Sequence, residues 1–156
     1  MDDRGAEQRA LFRRWPTGVS VVVAQAGDRR AGLTVNSLVS LSLEPPLVGI
    51  SLALSASLYE PLRDAGAWSA SILAGDQEHL AQHFARSIPP IALWDGIEVR
   101  DDDPLLLANA VGWLHVRTVD EIEAGDHTVF VGEVERLEQG PGQGALVYLG
   151  RTYHSL

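Results

Sequence analysis

Small polar side chains gather in three short stretches of this chain. Gly32-Leu33-Thr34-Val35-Asn36-Ser37 leads from one apolar run into Leu38-Val39-Ser40-Leu41-Ser42. Ser51, Ser55 and Ser57 follow a pair of prolines, and Gly125-Asp126-His127-Thr128 opens a late β-branched run. Hydroxyls, carboxamides and the free N–H groups of a helix start hold a phosphate and the polar edge of a heterocycle without a large cationic cluster. Thr and Ser that merely alternate outward along strands give the same composition, so residue types alone leave both readings open. An imidazole such as His127 offers a hydrogen bond or a positive charge to a bound group, or else satisfies the backbone of its own turn.

Other constellations carry less. His79 and His83 stand four apart on a helical pattern, but Glu78 precedes the first histidine where the zinc-protease motif needs its glutamate after it. No third ligand is apparent, so no metal is expected. Gly140, Gly142 and Gly144 look like half of a dinucleotide loop, yet that loop works only where a strand feeds a helix, and both flanks here are strand-like. A flexible hairpin loop is the expectation. Asp101 to Asp103 reads as a solvated turn, lacking the spacing and glutamate of a calcium loop. No nucleophile-elbow pattern is present. The absence of cysteine removes disulfides, thiolate metal sites and thiol nucleophiles together.

The elements that must position these residues are mostly short strands. Val19–Ala24 is β-branched, Gly27-Asp28 is a turn, and Ala31–Val35 returns as a hairpin. Leu38–Leu43 and Leu47–Leu54 flank Glu44-Pro45-Pro46, whose prolines cannot donate to a ladder. Trp68–Leu73, Trp113–Ile122, Thr128–Leu137 and Ala145–Leu149 complete about eight strands. Helices are expected over Ala6–Trp15, with Ala10, Leu11 and Trp15 on one face, over Ser57–Asp64, with Ser55 or Ser57 as N-cap, and over Gln77–Arg86, with Asp76 as N-cap. Ser87–Pro104 is irregular and carries Trp94, a candidate cover for a pocket. Strands that follow one another through short turns favour a mainly β, antiparallel barrel over a doubly wound parallel sheet.

The 156 residues suit one domain, 1–156, large enough for a real core. A formal net charge of -9 argues against non-specific nucleic-acid binding and against docking on anionic lipid. The charged start lacks a signal peptide's apolar segment, and no run reaches the roughly 20 apolar residues of a membrane helix, so a cytoplasmic protein is expected.

Four segments in register give a sharper expectation. Phe12-Arg13-Arg14-Trp15-Pro16-Thr17-Gly18-Val19, Gly32-Leu33-Thr34-Val35-Asn36-Ser37, Ser42-Leu43-Glu44-Pro45-Pro46-Leu47 and Ala124-Gly125-Asp126-His127 together resemble the short-chain flavin reductases. These are the reductase components of two-component flavin monooxygenases, and the similarity runs from about residue 8 to Tyr153. It implies an antiparallel split β-barrel with two or three short peripheral helices, a homodimer, and a flavin site near the dimer interface. It implies reduction of free FMN or FAD by NADH or NADPH, and a transient flavin-dependent oxygenase partner. By position, Thr34, Val35, Asn36 and Ser37 match the segment along the isoalloxazine ring, and Ser51, Ser55 and Ser57 the stretch near the ribityl chain and phosphate. Phe84, Ala85 and Arg86 match the helix end that closes on the phosphate. Pro16, Thr17, Gly18 and Tyr153 match segments bordering the ring pocket, the first three on the nicotinamide side, and His127 matches the histidine beside the nicotinamide. Ser71 stands where relatives more often have asparagine. A split barrel that binds flavin, heme or another planar ligand without turnover is the alternative.

Overall fold

In the computed structural model, which describes residues 2–156, the β-branched runs become strands and three helices lie at their periphery. The main sheet has seven antiparallel strands in the order β3 (Arg29–Val35), β2 (Ser20–Ala26), β6 (Ala67–Ile72), β9 (Gly112–Ala124), β10 (His127–Gln139), β5 (Pro46–Ala53) and β4 (Val39–Leu43). A second sheet joins β1 (Thr17–Gly18), β11 (Leu146–Leu149) and β12 (Thr152–Ser155), while β7 (Val99–Arg100) pairs with β8 (Asp103–Leu107). The helices are α1 (Asp3–Phe12), α2 (Tyr59–Ala65) and α3 (Glu78–Phe84).

Strand β2 explains the architecture. Val22 and Ala24 enter one apolar cluster with Val35, Ile50, Trp68, Val116 and Phe130, contributed by six strands, so the sheet wraps around that core. Val19, just before the strand, and Val21 and Val23 face a second cluster with Leu73, Leu80, Phe84, Leu107 and Leu146. Successive strand residues point to opposite faces, so a strand apolar at nearly every position is one buried on both sides. Each fully buried side chain of Leu or Phe size contributes about 1.5–3 kcal/mol. Helix α2 closes the first core: Tyr59 meets Phe130 edge-on at 5.6 Å, and its hydroxyl is 2.8 Å from Thr128 Oγ1.

The wrapped sheet stays open between β3 and β4, which are consecutive in the chain but share no ladder. The β4–β5 register pairs Val39 with Gly49, so Ser37, two residues before Val39, falls opposite Ser51. There the Ser37 hydroxyl replaces the backbone pair, donating to Ser51 O at 3.1 Å and accepting from Ser51 N at 3.0 Å. A side-chain strap thus marks where the barrel splits.

Several sequence expectations shift. Helix α1 starts earlier than Ala6, where the Asp2 side chain accepts from Gly5 N, and it buries nothing. Leu11 and Trp15 of the expected apolar face remain exposed, as does Phe12. Pro16 disfavours a helical Trp15, so the apolar spacing cannot extend across that boundary. Neither Ser55 nor Ser57 caps α2, whose N-cap is Leu58 without a side-chain bond. Gln77, not Asp76, occupies the N-cap of α3, and its buried carboxamide instead links Ala74 N to Ala108 O.

The 140–144 loop is pinned rather than flexible. A Cβ on Gly140 would lie 2.2 Å from Ala110 O, and Gly142 N donates to Ala110 O at 3.0 Å. Asp103 is no free turn residue either. Its carboxylate lies 2.9 Å from His115 Nε2, close enough for ion pairing, and accepts a hydrogen bond from Leu105 N. The buried Ser71 hydroxyl accepts from Leu107 N at 3.0 Å, so this position ties β6 to β8.

Candidate functional site

The short β1 strand brings the start of the chain to its end. Thr17 pairs with Tyr148 and Gly18 with Val147, and Tyr148 in turn stands opposite Tyr153 across β11–β12. The two phenol rings lie 5.1 Å apart, tilted by 51°. The β11–β12 connection is a two-residue turn in which Gly150 and Arg151 have φ of 62° and 66°. Positive φ at both central positions is the hairpin turn whose twist suits the flanking strands. Gly150 N donates to Arg13 O at 2.8 Å, which fastens the end of α1 to this turn.

Two adjoining cavities result. The larger, about 520 Å³, lies between α1, β1, the 36–37 segment and the β11–β12 turn. The smaller, about 180 Å³, is lined by Val19, Thr34, Val35, Asn36, Ala85, Tyr148 and Tyr153. Both are lined by Asn36 and Tyr148, which makes them two parts of one cleft. Its size falls in the ordinary range of small-molecule sites.

Of the residues singled out in the sequence, Thr17, Thr34, Val35, Asn36, Ser37, Ala85 and Tyr153 line this cleft. Their polar groups differ in availability. Thr34 Oγ1 donates to Ala81 O at 2.7 Å, so this hydroxyl anchors α3, and the Ser37 hydroxyl is the strap to Ser51. Asn36 is exposed at the junction of the two cavities. Thr17 Oγ1 is buried with no hydrogen-bond partner. Burial pushes the Tyr153 phenol above its usual range, with Tyr148 and Glu78 adding to the shift, so it stays a hydrogen-bond donor at neutral pH.

The other candidates lie outside the cleft lining. Ser51 touches it through Ser37, whereas Ser55 and Ser57 are exposed in the segment before α2. Phe84 is buried, with its ring 5.2 Å from Trp94, and Arg86 is exposed just past the end of α3. Pro16 and Gly18 flank Thr17 and are exposed. Trp94 covers no part of the cleft: its Nε1 donates to Arg30 O at 2.9 Å, and the Arg30 guanidinium lies 3.9 Å over its ring. His83 Nε2 lies 2.7 Å from Leu93 O, and no cluster of three metal-binding side chains occurs among the described residues.

His127 opens β10 opposite Ala53, half exposed, with Nδ1 2.7 Å from Asp126 Oδ1. The hydrogen bond to His127 holds the Asp126 carboxyl below the usual carboxylate range; the charge of His127 and, more weakly, Arg9 add to this. Arg9 also lines the larger cavity, so the Asp126–His127 pair lies within electrostatic reach of the cleft mouth. Sequence reasoning missed Tyr148, Phe12, Trp15 and the arginines Arg9, Arg13 and Arg151 as lining residues. The i, i+4 spacing of Arg9 and Arg13 was a visible signal, as was the Tyr148/Tyr153 pair around Gly150-Arg151.

Comparison with known proteins bears on the fold and the family. The chain is 38% identical over 149 residues to the reductase component of 4-hydroxyphenylacetate 3-monooxygenase from Thermus thermophilus, covering 95% of this chain and 94% of that one. It is 35% identical to an NADH-dependent FAD reductase of Streptomyces globisporus, over 93% of this chain and 82% of the relative. The solved NADH:FAD oxidoreductase from Streptomyces globisporus superimposes with a TM-score of 0.90 at 32% identity, over 99% of this chain and 94% of that chain. The flavin reductase component of a bacterial two-component tryptophan halogenase gives 0.87 at 30% identity, covering 97% and 98%. Residues 12–156 match the family described as flavin reductase like domain, and this chain belongs to that family.

Proposed function

We propose that this chain, as one domain over 1–156, catalyses NADH-dependent reduction of FMN or FAD and passes the reduced flavin to a separate flavin-dependent oxygenase. The observation that carries the reading is the two-part cleft joined at Asn36 and Tyr148. Its residues fit a flat heterocycle: Thr17 Oγ1 is a buried polar atom in want of a partner, and Asn36 offers both donor and acceptor. When bound, flavin supplies the acceptor and the nicotinamide the donor of two electrons and a proton, and the protein's contribution is placement.

The residues divide that work. Asn36 and the backbone around Val35 orient the heterocycle edge, and Tyr148 and Tyr153 wall the smaller cavity. Ser51, Ser55 and Ser57, although outside the cleft lining, are assigned with Ala85 and Arg86 to the ribityl and phosphate end on the family resemblance, and Phe84 supports the end of α3 from the core. Pro16, Thr17, Gly18 and His127 face the nicotinamide, His127 being held in orientation by Asp126.

The protein acts as a homodimer in the cytoplasm, where NADH is supplied. Support for the dimer comes from β4, an edge strand with Val39, Leu41 and Leu43 exposed, Leu43 at 88%. A long apolar edge left in water invites pairing or aggregation, and a second copy covers it. Anaerobic mixing with NADH and each free flavin tests the activity. Loss of flavin absorbance in step with NADH oxidation is expected. A spectral shift on binding without NADH oxidation would identify a ligand carrier instead.

A further inference from the structure

Arg9 on α1 and Arg13 at its C-cap lie one turn apart, and Arg151 belongs to the β11–β12 turn that Arg13 O fastens. All three line the larger cavity, which no carboxylate lines. None is paired with a carboxylate among the described residues, although the chain carries a net charge of -9. Like charges at i, i+4 repel, and although Asp126 lies within coulombic reach of Arg9 it is hydrogen-bonded to His127, so no carboxylate meets the three guanidiniums at the cavity. Guanidinium groups are suited to paired hydrogen bonds with phosphate oxygens. Phe12 and Trp15 line the same cavity while 58% and 65% exposed, leaving apolar ring surface in water beside the cations. Cations next to unpartnered aromatic rings match a pyrophosphate joined to a purine.

Building on the reductase reading, we propose that Arg9, Arg13 and Arg151 form a pyrophosphate clamp for the adenosine diphosphate half of a dinucleotide. The clamp selects dinucleotides over mononucleotides, and both NADH and FAD carry the required chemistry. The Gly150–Arg13 main-chain bond fastens the end of α1 to the turn that carries Arg151, which brings the backbones of both segments to one cavity.

The test compares the parent with an Arg9→Gln/Arg13→Gln double variant and with Arg151→Asn, in which asparagine tolerates the positive φ. These side chains are exposed, so unchanged circular dichroism is expected of the variants. Titration with ADP should show a Kd at least roughly tenfold weaker in the double variant, since a hydrogen bond to a charged group is worth about 1.5–3 kcal/mol. A matching rise in KM for NADH, with reduced nicotinamide mononucleotide unaffected, assigns the clamp to NADH. A matching loss of FAD affinity, with FMN unaffected, assigns it to FAD. Equal ADP binding by parent and variants overturns the proposal. So does weaker ADP binding with NADH and FAD both unchanged, or equal losses for the mononucleotides. A parent that oxidises no NADH with any flavin would refute the reductase reading, while the ADP titration would still decide the clamp.

Discussion

His127 sits where one imidazole has two possible partners, the Asp126 carboxylate on one nitrogen and an approaching ligand on the other. With Nδ1 committed to Asp126, Nε2 is the free edge. Replacing His127 with Ala should therefore raise KM for NADH about tenfold, the equivalent of one lost hydrogen bond, and leave flavin Kd within about twofold. Steady-state kinetics and flavin titration separate the two effects. The depressed Asp126 carboxyl gives a pH prediction. A group with a lowered folded pKa adds stability above its ordinary value near 4, and that contribution is lost as pH falls through the lower folded value. The difference in thermal midpoint between the parent and Asp126→Asn should thus shrink as pH drops below about 4, and a constant difference would exclude the mechanism. At this scale the sequence carried residue types but not their engagements. Thr34 with Ala81, and Ser37 with Ser51, are pairings across the fold that no local pattern encodes.

Among the elements, the strands were the most legible because period-two burial and turn residues are local signals. The run Val19–Ala24 starts one residue before the observed β2 and ends two residues short of it, and the turn at Gly27-Asp28 joins β2 to β3 as expected. Helix α1 was harder. Ala10, Leu11 and Trp15 space onto one face, but the residues that matter there are Phe12 and Trp15, which stand against a cavity that the C-terminal hairpin helps to wall. Similarly, three glycines in five residues suggested slack, whereas the backbone of Asn109 and Ala110 approaches so closely that side chains do not fit. The Ser37 strap gives a prediction belonging to this scale. Ser37→Ala removes both bonds to Ser51 at the split of the sheet and should lower unfolding free energy by about 1–2 kcal/mol. Flavin should bind more weakly as well, because Asn36 is placed by the same linker. Denaturant melts with and without FMN measure both, and a stable variant with weakened flavin binding would show that the strap positions the site without supporting the fold.

For the whole molecule, the in-order resemblance made architecture and family readable, since four short segments spaced along the chain constrain topology more than any one does. Quaternary structure was implied only by that resemblance, and the exposed β4 edge now gives it a physical test. Leu41→Asp with Leu43→Asp places two charges on that edge and should shift the protein to monomer in sedimentation or light scattering. If mass is unchanged, the dimer is built on another face. The long strands β9 and β10 form the spine from which β5 and β6 extend to either side.

The cleft proposed as the ligand site, by contrast, is walled by α1, β1 and the β11–β12 hairpin, joined through the Thr17–Tyr148 pairing. A nascent polypeptide still threading through the ribosome therefore has most of its sheet but no place to dock a nucleotide. Truncation or trypsin nicking near either extremity should abolish recognition long before it melts the spine.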